Sequence, residues 1–268
     1  MKRNILEINN LNYKKDGHNY LNGFEIEVKE ESIHAILFQN QESKNKLLEF
    51  LKGKSDCKQG KLLFKNSKLS QQKLRELGKE VIYFINQYSA LNPKKDPLGI
   101  FKFNKKVEQE NKSTVFPDMT VEENIFFGRE PVKKYFFFKA IDKKKLTEKT
   151  LDLLDLLEVK IYPEQKMAEL TPLKKQLVEL LKALSYQAEI IVVDQAVVDL
   201  NKSDKEVFLK FMQKLKEKGF SILYFTKEIE EVFAAADRVS VLKDGKNKST
   251  AQVSELEYNE LALLLMGK

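Results

Sequence analysis

Apolar and polar positions alternate across residues 5–13 (ILEINNLNY) and 24–38 (FEIEVKEESIHAILF), the pattern of strands buried on one face. Leu62 to Phe64 continues this β-rich opening, and 81–86 (VIYFIN) is a strongly apolar strand. From residue 146 the period lengthens. In LTEKTLDLLDLLE, Leu146, Leu153, Leu154 and Leu157 fall on one face of a helix. Pro172 opens another helix running to about Tyr186, since proline is tolerated in a first turn. EIIVVD (189–194) and FSILYFT (220–226) are continuous apolar runs of the kind covered on both faces of a sheet. A charged helix at about 203–218 ends at Gly219, and a helix at 227–236, a strand at 238–242 (RVSVL) and the turn Lys243-Asp244-Gly245 follow. This strand–helix alternation predicts an α/β fold with a mainly parallel core sheet and an antiparallel β layer near the N-terminus. Residues 92–115 lack periodicity and carry two prolines and many lysines, which predicts a surface excursion. Its Ile100, Phe101 and Phe103 offer apolar side chains for docking on the body or on a partner.

Composition narrows the class. The chain has 268 residues, 42% of them hydrophobic and 32% charged, which fits a soluble globular protein with ample material for a core. No apolar run approaches the roughly 20 residues of a membrane helix, and MKRNILEINN lacks the apolar stretch of a secretion signal. One cysteine, Cys57, excludes an intramolecular disulfide framework and fits a reducing cytoplasm, as a buried or half-buried thiol. The net charge of +7 raises the question of nucleic acid or anionic lipid. Only Arg3, Arg75, Arg129 and Arg238 are arginines, however, and the lysines are interleaved with glutamates. Solvated lysine faces, with no nucleic-acid partner, are the expectation, because base and phosphate forks favour arginine.

One stretch carries candidate chemistry. His34 to Gly53 reads HAILFQNQESKNKLLEFLKG: a strand, a short polar loop and a helix. Set against the phosphate-binding pattern G-x-x-x-x-G-K-[ST], Phe38 and Ser43 take the glycine positions, Lys44 the lysine position and Asn45 the hydroxyl position. Such a loop wraps its N–H groups around phosphate oxygens in conformations that favour glycine. Phe38 and Gln41 oppose that conformation, and Glu42 brings negative charge towards an anion. A helix starting near Lys44 would still have a positive N-terminus.

The order of pieces along the chain is more specific than any single motif. After the loop come Gln87, then FPDMTVEENIFFGREP (116–131), AELTPLKKQLVELLKAL (168–184), EIIVVDQAVVDL (189–200) and ILYFTKEIEEVFAAADRVSVLKDG (222–245). This resembles the ATP-binding cassette of ABC transporters, in the order Walker A, Q-loop, signature, Walker B, D-loop and switch region. The phrases TVEENIFFGREP, KAIDKKKL and ADRVSVLKDG and the ending LLLMGK are most similar to ribose/galactose-type sugar-import ATPases, in particular to the first cassette of those tandem proteins.

The resemblance implies an ABC-type P-loop NTPase fold over residues 1–268 as one nucleotide-binding domain. An antiparallel β subdomain would accompany a helical, signature-bearing subdomain at 91–185 that includes the extra segment 92–115. It also implies ATP with Mg²⁺ as cofactor, and a membrane subunit, another nucleotide-binding domain or both as partners. The chain would lie in the cytoplasm, reaching the inner face of the membrane only through those partners. Carried onto this sequence, Lys44 neutralises phosphate charge and Asn45 stands where a hydroxyl ligates Mg²⁺. Gln87 is the Q-loop glutamine and Asp194 holds the Mg²⁺ shell. Gln195 stands in place of the glutamate that polarises the attacking water, a role an amide cannot fill by accepting a proton. Lys227 replaces the switch histidine, and neither His18 nor His34 falls at that position. In the signature, Thr171 stands for the serine, Leu173 for the glycine and Lys174 for the next residue. The D-loop Asp199 is kept, and the adenine-stacking aromatic falls near Lys15, with Tyr13 two residues away.

Taken together, Phe38, Gln195, Lys227 and Leu173 predict a chain that keeps the fold and hydrolyses ATP weakly or not at all, as a structural or regulatory partner of a transporter or an intact cassette. Two other readings stay open: a working sugar-import ATPase with divergent motifs, and a soluble interaction domain outside transport. For the charged groups the plain alternatives are a solvated first-turn lysine at Lys44, an aspartate capping the next turn at Asp194 and a solvated helix-start lysine at Lys227.

Overall fold

The computed structural model describes residues 2–55, 57, 59–86 and 115–266, so Gln87 and nearly all of segment 92–115 lie outside the described residues. The chain forms two compact units, one of residues 1–84, 188–195 and 212–268, the other of residues 85–187 and 196–211.

The first unit begins with an antiparallel sheet. Strands β1 (Asn4–Lys15) and β2 (His18–Lys29) pair through a two-residue turn, Asp16-Gly17. Both turn residues have left-handed φ, 49° and 81°, as a tight hairpin whose twist matches its strands requires. The 24–38 run is not one strand: it breaks after β2, at Glu31 with φ 49°, and resumes as β3 (Ile33–Phe38) in a different sheet. No glycine or proline marks the break; the polar run Lys29-Glu30-Glu31-Ser32 is what interrupts the alternation there. Strands β4 (Gln59–Phe64) and β5 (Ser67–Lys68) complete the antiparallel sheet in the order β2-β1-β4-β5. Helices α1 (Gln41–Leu51) and α2 (Gln71–Leu77) belong to the same unit.

The second sheet runs β12-β11-β3-β10-β9-β6, with β6 at Ile82–Asn86, β9 at Ile190–Asp194, β10 at Ser221–Thr226, β11 at Arg238–Lys243 and β12 at Lys246–Gln252. Strands β9, β10, β3 and β11 are mutually parallel, while β12 turns back antiparallel to β11. Every residue of β3 and β10 is buried, as strands covered on both faces must be. Alternate residues of β3 show the two covers. Ile36 and Phe38 join a core with β1, β2 and α1, whereas Ala35 and Leu37 join one with α7 (Ile229–Ala235) and α8 (Tyr258–Met266). The pairs Leu37–Thr226 and Phe225–Asp194 align the carboxyl ends of β3, β10 and β9 at one edge, where ligands of open α/β sheets bind.

Two clusters of buried polar side chains are anchored on this sheet. His34 is fully buried on β3, its Nε2 2.9 Å from Ser240 Oγ, and burial, reinforced by Arg238, lowers its pKa to about 3. Glu231 of α7 accepts hydrogen bonds from the Tyr224 and Thr226 hydroxyls, and burial beside this carboxylate pushes the Tyr224 phenol well above its ordinary value. Thr226 Oγ1 also accepts from the Glu228 N–H at 3.1 Å, which fixes the backbone on both sides of Lys227.

The other unit holds α3 (Val121–Phe126), a hairpin of β7 (Val132–Lys134) and β8 (Lys139–Ile141), α4 (Lys143–Leu157) and α5 (Pro172–Ser185). A capping box of Thr120 and Glu123 starts α3. On α4 the buried stripe is Leu146, Thr150, Leu154 and Leu157, with Leu153 only half-buried at its margin. Helix α6 (Lys202–Glu217) carries a strong apolar stripe, including Phe208, Met212 and Leu215.

Candidate functional site

The structure assembles Lys44, Asp194, Gln195 and Lys227 at the carboxyl edge of the parallel sheet, all within the first unit. Only Gln39 and Asn40 separate β3 from α1, so the helix begins at Gln41 and not near Lys44 as the motif spacing predicts. Three of the residues that would form a phosphate loop are therefore already helical. The physical cause is Asn40, which caps the helix. Its Oδ1 accepts from the N–H groups of Glu42 (2.8 Å) and Ser43 (3.0 Å), while its backbone oxygen accepts from Lys44 N–H at 3.2 Å. A helix N-terminus offers these N–H groups to an anion, and here a neutral amide of the same chain occupies them.

Lys44 is not a solvated first-turn lysine. Its side chain is 3% exposed, and Nζ donates to both carboxylate oxygens of Asp194, at 2.7 and 2.9 Å. Asp194 thus grips Lys44 and does not cap the following turn. Phe38, 1% exposed, sits under this pair with Lys44 Nζ 5.5 Å from its ring centroid. Lys227 Nζ lies 5.4 Å from the same centroid, so the residue at the first glycine position has become a π surface for two ammonium groups. Lys227 itself is exposed, as expected.

Gln195 follows β9 with φ 49°, a left-handed conformation held by its N–H donating to Phe225 O at 3.1 Å. Its Oε1 accepts from Gln41 Nε2 at 3.3 Å, which also reaches Asn45 Oδ1 at 3.4 Å. The amide that stands in the place of a base is thus tied to the start of α1, and Asn45 is exposed on that helix. In this arrangement a phosphate and a Mg²⁺ ion would have to displace Asn40 from two N–H groups and Lys44 from both Asp194 oxygens. Sequence reasoning found Lys44, Asp194 and Gln195 but missed Asn40. The signal was present: an asparagine directly before an amphipathic helix is a preferred N-cap.

Beside Asn40 lies a cleft of about 290 Å³ lined by His18, Asn19, Tyr20, Asn40, Glu42 and Ser43. Tyr13 does not open onto solvent there. It is 7% exposed, with the Tyr20 ring 6.0 Å away and Lys46 Nζ 5.2 Å over its face.

The signature residues open α5 in the other unit. Thr171 caps the helix, its Oγ1 accepting from Lys174 N–H at 3.4 Å, and Pro172 at the first position removes another donor. Leu173 and Lys174 are half-buried in that first turn. This helix start, too, has its donors reduced by local side chains. Gln87 lies outside the described residues.

The ABC transporter family matches residues 21–198. A putative ribose/galactose/methyl galactoside import ATP-binding protein of Halalkalibacterium halodurans is 29% identical over 266 residues, covering 98% of this chain and 46% of that protein. The galactose/methyl galactoside import ATP-binding protein MglA of Fusobacterium nucleatum is 26% identical over 264 residues, covering 98% and 47%. The chain spans about half the length of the curated relatives it matches. Among solved structures, the ADP conformation of an ATP-binding cassette of an ABC transporter superposes with a TM-score of 0.74 at 20% identity, covering 98% of this chain and 95% of that one. The cbiO1 protein of Clostridium perfringens, part of an ABC transporter complex, gives 0.74 at 20% identity, covering 98% and 92%.

Proposed function

The chain belongs to the ABC transporter family, and from that premise we propose that it is a cassette subunit of carbohydrate-importer type whose phosphate site is closed by its own side chains. It acts as a pseudo-ATPase, a structural or regulatory partner of a membrane subunit or of an intact cassette, at the inner face of the cell membrane. Residues 1–268 form one nucleotide-binding domain with 91–185 as its helical subdomain. The sugar class follows the relatives, whose names speak of ribose, galactose and methyl galactoside import.

The observation that carries this reading is the double closure at the start of α1: Asn40 on the N–H groups of Glu42 and Ser43, and Asp194 on Lys44. Mg²⁺ and a triphosphate would supply the electrophile and the charge to be neutralised, and neither fits while these contacts hold. Gln195 supports the reading separately, because an amide takes no proton from an attacking water. Steady-state phosphate release by the purified chain, alone and mixed with a complete cassette, tests it. The expected result is turnover indistinguishable from the buffer control for the chain alone, and in the mixture no share of the turnover that Lys44→Ala removes; turnover by the chain alone that Lys44→Ala abolishes overturns it.

One observation favours a second reading, a working ATPase. Lys44 and Asp194 still stand side by side at the family positions, so a ligand binding tightly enough to part them would find both groups in place.

A further inference from the structure

The β7–β8 hairpin carries the most exposed apolar side chains among the described residues. Val132 pairs with Ile141, Lys133 with Ala140 and Lys134 with Lys139, and Tyr135 N–H donates to Phe138 O at 2.8 Å to close the turn Tyr135-Phe136-Phe137-Phe138. Phe136 is 95% exposed and Phe137 90%, with Phe138, Tyr135, Ile141 and Val132 about half or more exposed. Among the described residues their ring pairs are with one another: Tyr135 stacks on Phe138 at 4.9 Å and Phe136 meets Phe137 edge-on at 4.8 Å. Turn chemistry does not ask for these residues, since tight turns favour glycine, asparagine and aspartate. The root of the hairpin is tied down by Asp142. Asp142 caps α4 through Lys145 N–H and pairs with Lys133 Nζ at 3.2 Å, while its own N–H donates to Pro131 O.

The charge around this tip decides what covers it. Between Pro131 and Lys145 stand six lysines (Lys133, Lys134, Lys139, Lys143, Lys144 and Lys145) against one acid, Asp142. All six are exposed. An aromatic tip that enters the boundary between headgroups and acyl chains, with a collar of lysines reaching anionic headgroups on long stems, is the composition of an interfacial membrane anchor. We propose that the 132–141 hairpin inserts Phe136 and Phe137 into the surface of an anionic phospholipid bilayer and holds this chain against the membrane directly. The contact adds to any reached through membrane subunits, the only route that the family resemblance implies, and it does not depend on the nucleotide reading.

The test is sedimentation of the full chain with phosphatidylcholine vesicles containing phosphatidylglycerol, and with vesicles of phosphatidylcholine alone. The chain is expected to sediment with the first and not the second, and to be released by salt. Phe136→Ser with Phe137→Ser, and separately the triple change Lys133→Gln, Lys134→Gln, Lys139→Gln, should each weaken partitioning by about tenfold or more. The chain has no tryptophan, so Phe137→Trp gives a single reporter whose emission should shift to the blue on anionic vesicles. Three results overturn the proposal: no sedimentation of the wild type, equal sedimentation of the serine variant, or a reporter that stays as solvated as in buffer. Self-association that the serine changes abolish, without vesicle binding, would also overturn it and assign the tip to a second copy of the chain.

Discussion

At the start of α1, Asn40, Lys44, Asp194 and Gln195 all find partners inside the chain, whereas at the tip of the β7–β8 hairpin four aromatic rings are left to meet one another and water. The first region stands where the family handles a ligand, yet its side chains are satisfied without one. The second lies between two phrases that carry the family resemblance, yet its rings stay exposed among the described residues. The contrast teaches that unmet bonding capacity, more than position in the fold, locates where a molecule still interacts. Polar groups already paired resist a ligand that must break those pairs, and apolar groups left in water favour whatever covers them.

Substitutions break this contrast from either side. The largest effect is expected from Asp194→Ala, which leaves the Lys44 ammonium buried and unpaired. A loss of about 3–5 kcal/mol is expected by denaturant unfolding, as for other broken buried pairs. Replacing both partners, Lys44→Met with Asp194→Leu, should recover most of that loss, because no charge is then stranded.

Acid should act on the same unit through His34. Its folded pKa of about 3 lies below the ordinary value of 6.5, so the unfolded chain binds a proton that the folded chain refuses. The stability this group contributes is whole above pH 6.5 and is lost between 6.5 and 3, at about 1.4 kcal/mol per pH unit in that window. An unfolding series from pH 6 to 4 should show that slope, and His34→Leu should flatten it.

A smaller change is expected at the cap. Asn40→Ala should cost about 1 kcal/mol and Asn40→Gly only a few tenths, measured by the same unfolding curves; equal costs would mean that the cap is not what holds the start of α1. Smallest of all, Phe136→Ser with Phe137→Ser should leave stability unchanged within about 0.5 kcal/mol, as substitutions of exposed side chains usually do. A larger loss would show that the tip serves the fold and spoil the contrast.

Legibility in the sequence followed burial. Strands β9 and β10 stand out as continuous apolar runs because both of their faces are covered, and the helix at Pro172 announces itself by its capping residues. Strand β12 (KNKSTAQ), an edge strand with alternately exposed positions, has almost no apolar content to read. The joint between β2 and β3 carries no glycine, since Glu31 takes left-handed φ itself; its signal is the polar run Lys29-Glu30-Glu31-Ser32, which interrupts the alternation. At the site, the resemblance supplied Lys44, Asp194 and Gln195 but also suggested a loop where the chain builds a helix. The local rule that Asn40 begins a helix was the better guide there. No spacing rule could pair Lys44 with Asp194, 150 residues away; only the parallel register of β3, β10 and β9 brings them together. At the hairpin tip nothing in the run of four aromatics says whether it is buried, and the structure leaves it outside.

The most direct test of the closed site is calorimetric titration of the wild-type chain with Mg-ATP. The account predicts no saturable heat up to millimolar nucleotide, because Asn40 occupies the N–H groups that phosphate would use and Lys44 the Asp194 carboxylate that the metal would use. A stoichiometric isotherm in the micromolar range would contradict it.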